Sequence, residues 1–276
     1  MSARLQECTV AANREVAPGH ALVTLESGIG AAAEPGQFVQ VSLDGVAGAF
    51  LPRPFSFHRA ADDQFQLLLR SVGPGTAAIV ATRPGERLTV LGPLGRGFEL
   101  QRAIASGGSL TLVGGGVGVP PLHHVADFVR AGGAGSEVTG AKIDALVGAA
   151  TAELLLAVDD LRAIDVDVRV STDDGSAGHH GLVTELLHDE LGAAGGADGR
   201  GRRPGCVLAC GPHPMLRAVA KICRHSDVPC QVAMEEPMAC GYGVCLGCAI
   251  PAAAAPDRYL LLCKDGPVFD AEQVAW

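Results

Sequence analysis

Basic charge is scarce in this chain. Its 276 residues carry 21 Lys and Arg against 30 Asp and Glu, a formal net charge of −9. No basic face is available to neutralise phosphates, which excludes a nucleic-acid binder. Long apolar runs are missing as well. The N-terminus, MSARLQECTVAANREV, has no apolar signal core. No stretch approaches the roughly twenty apolar residues of a spanning helix. A cytoplasmic protein without membrane contact is the expectation. Lysine is reduced to Lys142, Lys221 and Lys264, a bias without functional weight, and internal repeats are absent. What is present is enough hydrophobic content, 48%, for ordinary cores, and enough length for two domains and a small third module. Nine cysteines in a reducing compartment are thiols or metal ligands rather than disulfides.

Three segments follow one another. Over residues 1–102, short β runs (ECTVAANREV, HALVTLE, QFVQVSL, RPFSFHRA, QFQLLLRSV, ERLTVLG) are separated by Gly, Pro and Asp turn signals. This pattern predicts a six-stranded antiparallel barrel with one helix, GTAAIVATR. Over 103–226, strands such as SLTLVG, KIDALVGAA, VDVRVSTDDG and CVLACG alternate with helices VPPLHHVADFVRAG, TAELLLAVDDLR, GLVTELLHDEL and HPMLRAVAKICRHS. That order predicts a parallel sheet with helices on both faces. GAAGGADGRGRRPG reads as a flexible surface loop. Residues 227–276 fit neither pattern and hold a cluster of thiols. The fold class is therefore α/β plus all-β, with a small C-terminal domain.

Cys240, Cys245, Cys248 and Cys263 are spaced C-x4-C-x2-C-x14-C, and the first three match the plant-type ferredoxin spacing for a 2Fe-2S cluster. Gly241, Gly243 and Gly247 suit a loop wrapped around a metal, since they permit positive φ and close approach of N–H groups. A structural zinc site would normally pair its cysteines two plus two, whereas this set is three plus one. Cys8, Cys206, Cys223 and Cys230 stand alone and read as buried thiols.

Four further stretches address nucleotides, two on a flavin side and two on a nicotinamide side. In LPRPFSF, Arg53 offers a guanidinium fork to a pyrophosphate, Pro54 stiffens the strand and Ser56 supplies a hydroxyl for a flavin ring nitrogen. LLRSVGPGTAA turns on Gly73, Pro74 and Gly75 and starts a helix at Thr76, a ready anion site. The alternative reading of each is an ordinary turn. In LTLVGGGVGVPPL, Gly114, Gly115, Gly116 and Gly118 keep a strand–helix turn tight enough for a phosphate to approach, while Pro120 and Pro121 sit at the helix start. This is not the GxGxxG fingerprint with its downstream acid. VGAATAELLL offers no Lys or Arg to a 2′-phosphate, which favours NAD(H) over NADP(H). Cys210 and Gly211, in ACGPHPML, end a later strand at the crevice of an open α/β sheet. No catalytic residue is assigned. Cys210 is the candidate beside a nicotinamide, or else a space-filler.

RPFS, GPGT, VGGGVGVPPL, TDDGS, ACGPHPM, ACGYGVCLGC and CKDGPVFD occur in that order. The series closely resembles the electron-transfer subunits of NAD-dependent (type B) dihydroorotate dehydrogenases, in the ferredoxin–NADP reductase-like superfamily. The resemblance covers essentially the whole chain. It implies FAD contacts at Arg53, Pro54, Phe55, Ser56, Leu68, Leu69, Arg70, Gly75 and Thr76, and 2Fe-2S ligation by Cys240, Cys245, Cys248 and Cys263. NAD is implied as electron acceptor. It further implies a partner, an FMN-bearing TIM-barrel catalytic subunit, in a heterotetramer of two copies each, serving pyrimidine biosynthesis. The rival readings are the same architecture serving another NAD(P)H-linked complex, and a non-enzymatic sensor.

Overall fold

The computed structural model describes residues 3–43, 45, 50–105, 109–133, 140–193, 204–255 and 257–276. Its N-terminal part comprises β1 (Arg4–Ala17), β2 (His20–Glu26), β3 (Phe38–Ser42), β4 (Arg53–Ser56), β5 (Arg59–Ala60), β6 (Gln64–Arg70) and β7 (Arg87–Leu94). These make an antiparallel sheet in the order β4-β3-β7-β1-β2-β6-β5. Val23 and Leu25 on β2, Val39 and Val41 on β3, and Leu67 and Leu69 on β6 enter one core, following the two-residue period of a strand. Register shifts in β1 between Val10 and Ala12 and between Glu15 and Ala17 bend the strand and strengthen its twist, and the sheet curls into a half-barrel. The six expected runs become seven strands because RPFSFHRA is interrupted. Phe57 turns wholly into the core and pairing resumes at Arg59. Pro54 lies on the edge strand β4, where a missing N–H leaves no ladder bond unmade. Helix α1 (Pro74–Val80) packs on this core through Ile79.

The second sheet takes β8 (Ser109–Gly115), β9 (Lys142–Ala149), β10 (Asp167–Thr172), β11 (His179–His180), β12 (Cys206–Cys210) and β13 (Cys230–Ala233). Its order is β11-β10-β9-β8-β12-β13-β16, parallel except for β16 (Val268–Asp270). Near-continuous apolar strands such as CVLAC are what a sheet covered on both faces requires. Helices α2 (Leu100–Ala105), α3 (Val119–Arg130) and α4 (Val158–Ala163) cover one face. Helices α5 (Val183–Ala193) and α6 (His213–His225) cover the other. The direction of winding reverses between β8 and β12, so a crevice opens at their C-terminal ends.

Two expectations change in detail. TAELLLAVDDLR is not one helix: a 3₁₀ turn at Ala152–Leu154 is followed by α4 only from Val158. The break frees Leu156 to be buried against Ala17, Leu22 and Leu68 of the half-barrel, a tertiary contact that overrides local propensity. Residues 227–276 do not stand apart either. Cys230–Ala233 extends the parallel sheet along β12, and β16 seals the edge of β13. Between them, β14 (Ala249–Pro251) and β15 (Tyr259–Leu261) form a hairpin that runs into α7 (Leu262–Asp265). Met238, Cys248, Leu262, Cys263 and Phe269 share a core with Val207 and Leu216 of the α/β part and with Phe38 and Leu94 of the half-barrel. A segment of this size gains its buried area from its neighbours. Most of the expected loop over residues 192–205, namely 194–203, lies outside the described residues.

Candidate functional site

The four C-terminal cysteines fall into two pairs, Cys248 with Cys263 and Cys240 with Cys245, and among the described residues no three His, Cys, Asp or Glu side chains converge closely enough to hold a metal ion as they stand. The hairpin register sets Ala249 opposite Leu261, so Cys248 just before one strand and Cys263 just after the other become neighbours, with their sulfurs 3.3 Å apart. The long spacer between these two cysteines is therefore simply the hairpin. Cys240 and Cys245 come from the preceding loop, in which Gly241 (φ +80°), Gly243 (φ +87°) and Leu246 (φ +60°) hold left-handed conformations. Those turns aim N–H groups at sulfur. Burial raises the Cys240 thiol, but the N–H groups of Cys245, Tyr242 and Val244 and the Cys245 side chain pull it down, to about 6. Cys263 goes the other way, up to about 12, through burial first and then the adjoining Cys248. A thiolate-ready sulfur, two buried sulfurs in contact and converging N–H donors are the chemistry an iron–sulfur centre requires. The loop also lies against the half-barrel: a Cβ at Gly241 would stand 2.6 Å from Gln40 Cγ. In donor chemistry, four thiols on one loop and one hairpin, the residues present fit the group.

Next to this loop is a cavity of about 450 Å³ lined by Arg53, Pro54, Phe55 and Ser56 of β4, Leu68, Leu69 and Arg70 of β6, and Thr76 of α1. Pro237 and Met238, just before Cys240, form part of its wall. Gly75 is buried in the first turn of α1 and is not on the lining. Thr76 Oγ1 accepts the N–H groups of Val72 and Gly73 at 2.8 and 3.1 Å, which fixes the turn beside the cavity. Arg53 donates through Nη1 to the Leu51 carbonyl at 2.6 Å, which leaves its remaining N–H groups for the cavity.

A second cavity of about 500 Å³ sits over the sheet crevice and takes in Gly115, Gly116, Gly118 and Gly211. Gly114 is not among its walls. A Cβ there would press on Val119 at 2.8 Å, so this glycine serves helix–strand packing. Gly118 does both, since a Cβ would collide with the Cys210 carbonyl. Cys210 lines the first cavity, not the second. Burial, followed by the charge of Glu235, holds its thiol well above the ordinary value.

Arg70, Val117 and Glu235 line both cavities and mark where they meet. Glu235 was not expected. It follows β13 at the C-terminal end of the sheet, and only its strand assignment would have exposed it as a crevice residue. The residue is exposed at the junction, atoms crowded round its carboxyl raise its pKa by desolvation, and the Cys210 thiol points to its Oε1 at 3.9 Å. Asp173 and His20 also line the second cavity. The lone thiols are less isolated than expected: Cys230 shares a hydrogen bond with Cys223, and Cys206 lies close by.

A curled antiparallel sheet carrying RPFS at its edge, joined to a parallel sheet with a glycine-lined crevice, is the architecture of the ferredoxin–NADP reductase class. A chain of the NADH-dependent reduced ferredoxin–NADP oxidoreductase structure superposes with a TM-score of 0.81 at 27% identity, covering 98% of this chain and 90% of that one. The ferredoxin–NADP⁺ reductase of Neisseria gonorrhoeae, at 17% identity, 80% and 91% coverage and a TM-score of 0.63, shares the fold. Residues 235–275 match the family described as the iron–sulfur cluster binding domain of dihydroorotate dehydrogenase B. The electron transfer subunit of dihydroorotate dehydrogenase B (NAD(+)) from Bacillus caldolyticus is 36% identical over 243 residues, 87% of this chain and 86% of that protein. Its counterpart from Enterococcus faecalis is 31% identical over 99% of both chains. The chain belongs to the family of electron transfer subunits of dihydroorotate dehydrogenase B (NAD(+)).

Proposed function

We propose that the first cavity holds FAD, that the glycine-lined crevice takes NAD, and that Cys240, Cys245, Cys248 and Cys263 hold a 2Fe-2S cluster. When bound, flavin and cluster together supply the exchange between single electrons and the electron pair of a hydride. The protein supplies distance, orientation and access. Arg53 directs a guanidinium fork at the pyrophosphate, Ser56 offers a hydroxyl to the ring, and the chain at Leu68–Arg70 lies along the other wall. Gly116 and Gly118 keep the β8–α3 turn low enough for a second phosphate to reach backbone N–H groups. Glu235 stands where the two cavities join, with the Cys210 thiol 3.9 Å from it on the side of the first cavity, so the pair lies beside the place where the rings would meet. The observation that carries this reading is the wall shared by the first cavity and the thiol loop through Pro237 and Met238.

The partner is a dihydroorotate dehydrogenase catalytic subunit that carries FMN, in a complex of two copies each. Tyr242, Val244 and Leu246 project from the cluster loop with 57%, 72% and 61% exposure. Apolar side chains in that position suit a surface that another subunit covers. Electrons would enter through this rim and leave as hydride on NAD⁺.

The test is compositional and then kinetic. Purified anaerobically, the full chain should contain one flavin per two irons and two sulfides, and should oxidise NADH with an artificial acceptor. Dihydroorotate should be turned over only after the catalytic subunit is added. Bound zinc in place of iron, or dihydroorotate oxidation by this chain alone, would refute the proposal.

A further inference from the structure

Among the described residues, Gln40 is the only side chain with two buried polar atoms that lack a hydrogen-bond partner. It sits on β3, a strand whose Val39 and Val41 fill the half-barrel core. Phe38 and Gln40, on the opposite face, meet the C-terminal segment. Phe38 joins Leu94, Met238, Cys248, Leu262 and Cys263 in an apolar core, and Gln40 lies beside it at 1% exposure. Among the described residues, neither its Oε1 nor its Nε2 has a hydrogen-bond partner. A buried primary amide without partners is costly, and Leu or Met would fill the same volume without that cost.

The amide points at the thiol loop. Gly241, adjoining the first cluster cysteine, lies so close that a Cβ would come within 3.0 Å of Gln40 Nε2 and 3.1 Å of Leu94 Cδ1. Gly241 meets this by carrying no side chain, at φ +80°. Gln40 is also directly opposite Pro54 in the β3–β4 ladder. It thus touches the strand proposed for flavin on one side and the loop proposed for the cluster on the other.

We infer that Gln40 is a positioning and tuning residue for the iron–sulfur cluster, its side-chain N–H donating a hydrogen bond to a cluster sulfur. The inference rests on the proposed ligation by the four cysteines. A reduced cluster carries one more negative charge than an oxidised one. An N–H dipole aimed at its sulfurs therefore favours reduction and raises the potential.

The test uses the reconstituted full chain. Gln40→Met keeps the volume and removes the donor. At a fixed poise near the midpoint, the ratio of reduced to oxidised cluster should fall roughly tenfold, a shift of about 59 mV for one electron. Gln40→Glu, which adds negative charge, should shift it further in the same direction. An independent readout needs no variant. Wild-type protein labelled with ¹⁵N in glutamine side chains should show a ¹⁵N coupling to the electron spin of the reduced cluster. A normal wild-type cluster whose potential ignores Gln40→Met, or which lacks that coupling, would overturn the inference alone. Absence of iron and sulfide from the wild-type chain would overturn the proposed function, and this inference with it.

Discussion

At the scale of single residues, the thiol loop is governed by backbone conformations that only a few side chains tolerate. Gly241 combines φ +80° with a neighbour 2.6 Å from where its Cβ would be. Gly241→Ala would add left-handed strain of about 1–2 kcal/mol and push the loop off Gln40. Iron content per chain should drop and the melting temperature should fall, with flavin retained. An unchanged iron content in G241A would show that the loop tolerates displacement. The C-terminal thiol cluster was legible in the sequence because its spacing is fixed along the chain, and the proposed ligand set rests on that spacing. Gln40 was not, since QFVQVSL reads as an ordinary half-exposed strand until the fold buries both of its faces. Glu235 was likewise hidden in MEEPMAC, because its meaning depends on ending a strand whose neighbours are distant in sequence.

At the scale of elements, the half-barrel and the α/β part are joined at a histidine seam. His58, preceding β5, and His123 of α3 stack with ring centroids 4.1 Å apart, and His123 Nδ1 bonds the His58 carbonyl at 2.9 Å. Arg59 donates to Asp127 at 3.2 Å, and His58 Nε2 lies 3.8 Å from Asp160. Burial, then the neighbouring His123, drives His124 from 6.5 down to about 3. Burial, followed by His123, His124, Arg14 and Arg59, lowers His58 well below its ordinary value. These rings are neutral in the fold, whereas the unfolded chain takes up their protons below about 6.5. The unfolded state then binds more protons, so stability falls as pH drops through that value and goes on falling toward about 3. Melting temperature should decline between about pH 7 and about pH 5, and His124→Phe should flatten the slope. A profile indifferent to that substitution would refute the assignment. Element type was mostly readable from apolar periodicity. The exceptions, the split of RPFSFHRA at Phe57 and of TAELLLAVDDLR at Leu156, are places where one large side chain is claimed by a core that sequence alone does not locate.

At the scale of the whole molecule, one core runs across the boundaries of the three expected segments. Met238, Cys248, Leu262 and Cys263 share one core with residues of both other parts. A ligand held by Cys240, Cys245, Cys248 and Cys263 binds only the folded state, so it stabilises everything that folds with them. Calorimetry of the iron-loaded full chain should give one transition. Removing iron should lower it as a unit, by about 2–4 °C per kcal/mol of binding free energy lost. Two transitions, with the larger unmoved by iron removal, would contradict a shared core.

The last strand gives this arrangement a practical side. Among the described residues, β16 is the sole partner that covers the outer side of β13, although more than thirty residues separate them in the chain. Severing the tail after Met234 would not release a tidy reductase. It would bare a row of unpaired amides and carbonyls, the kind of border along which chains polymerise. Whoever grafts this redox tail onto another reductase must bring along the host sheet's hem, because the same stretch of polypeptide that carries the electrons also finishes the cloth.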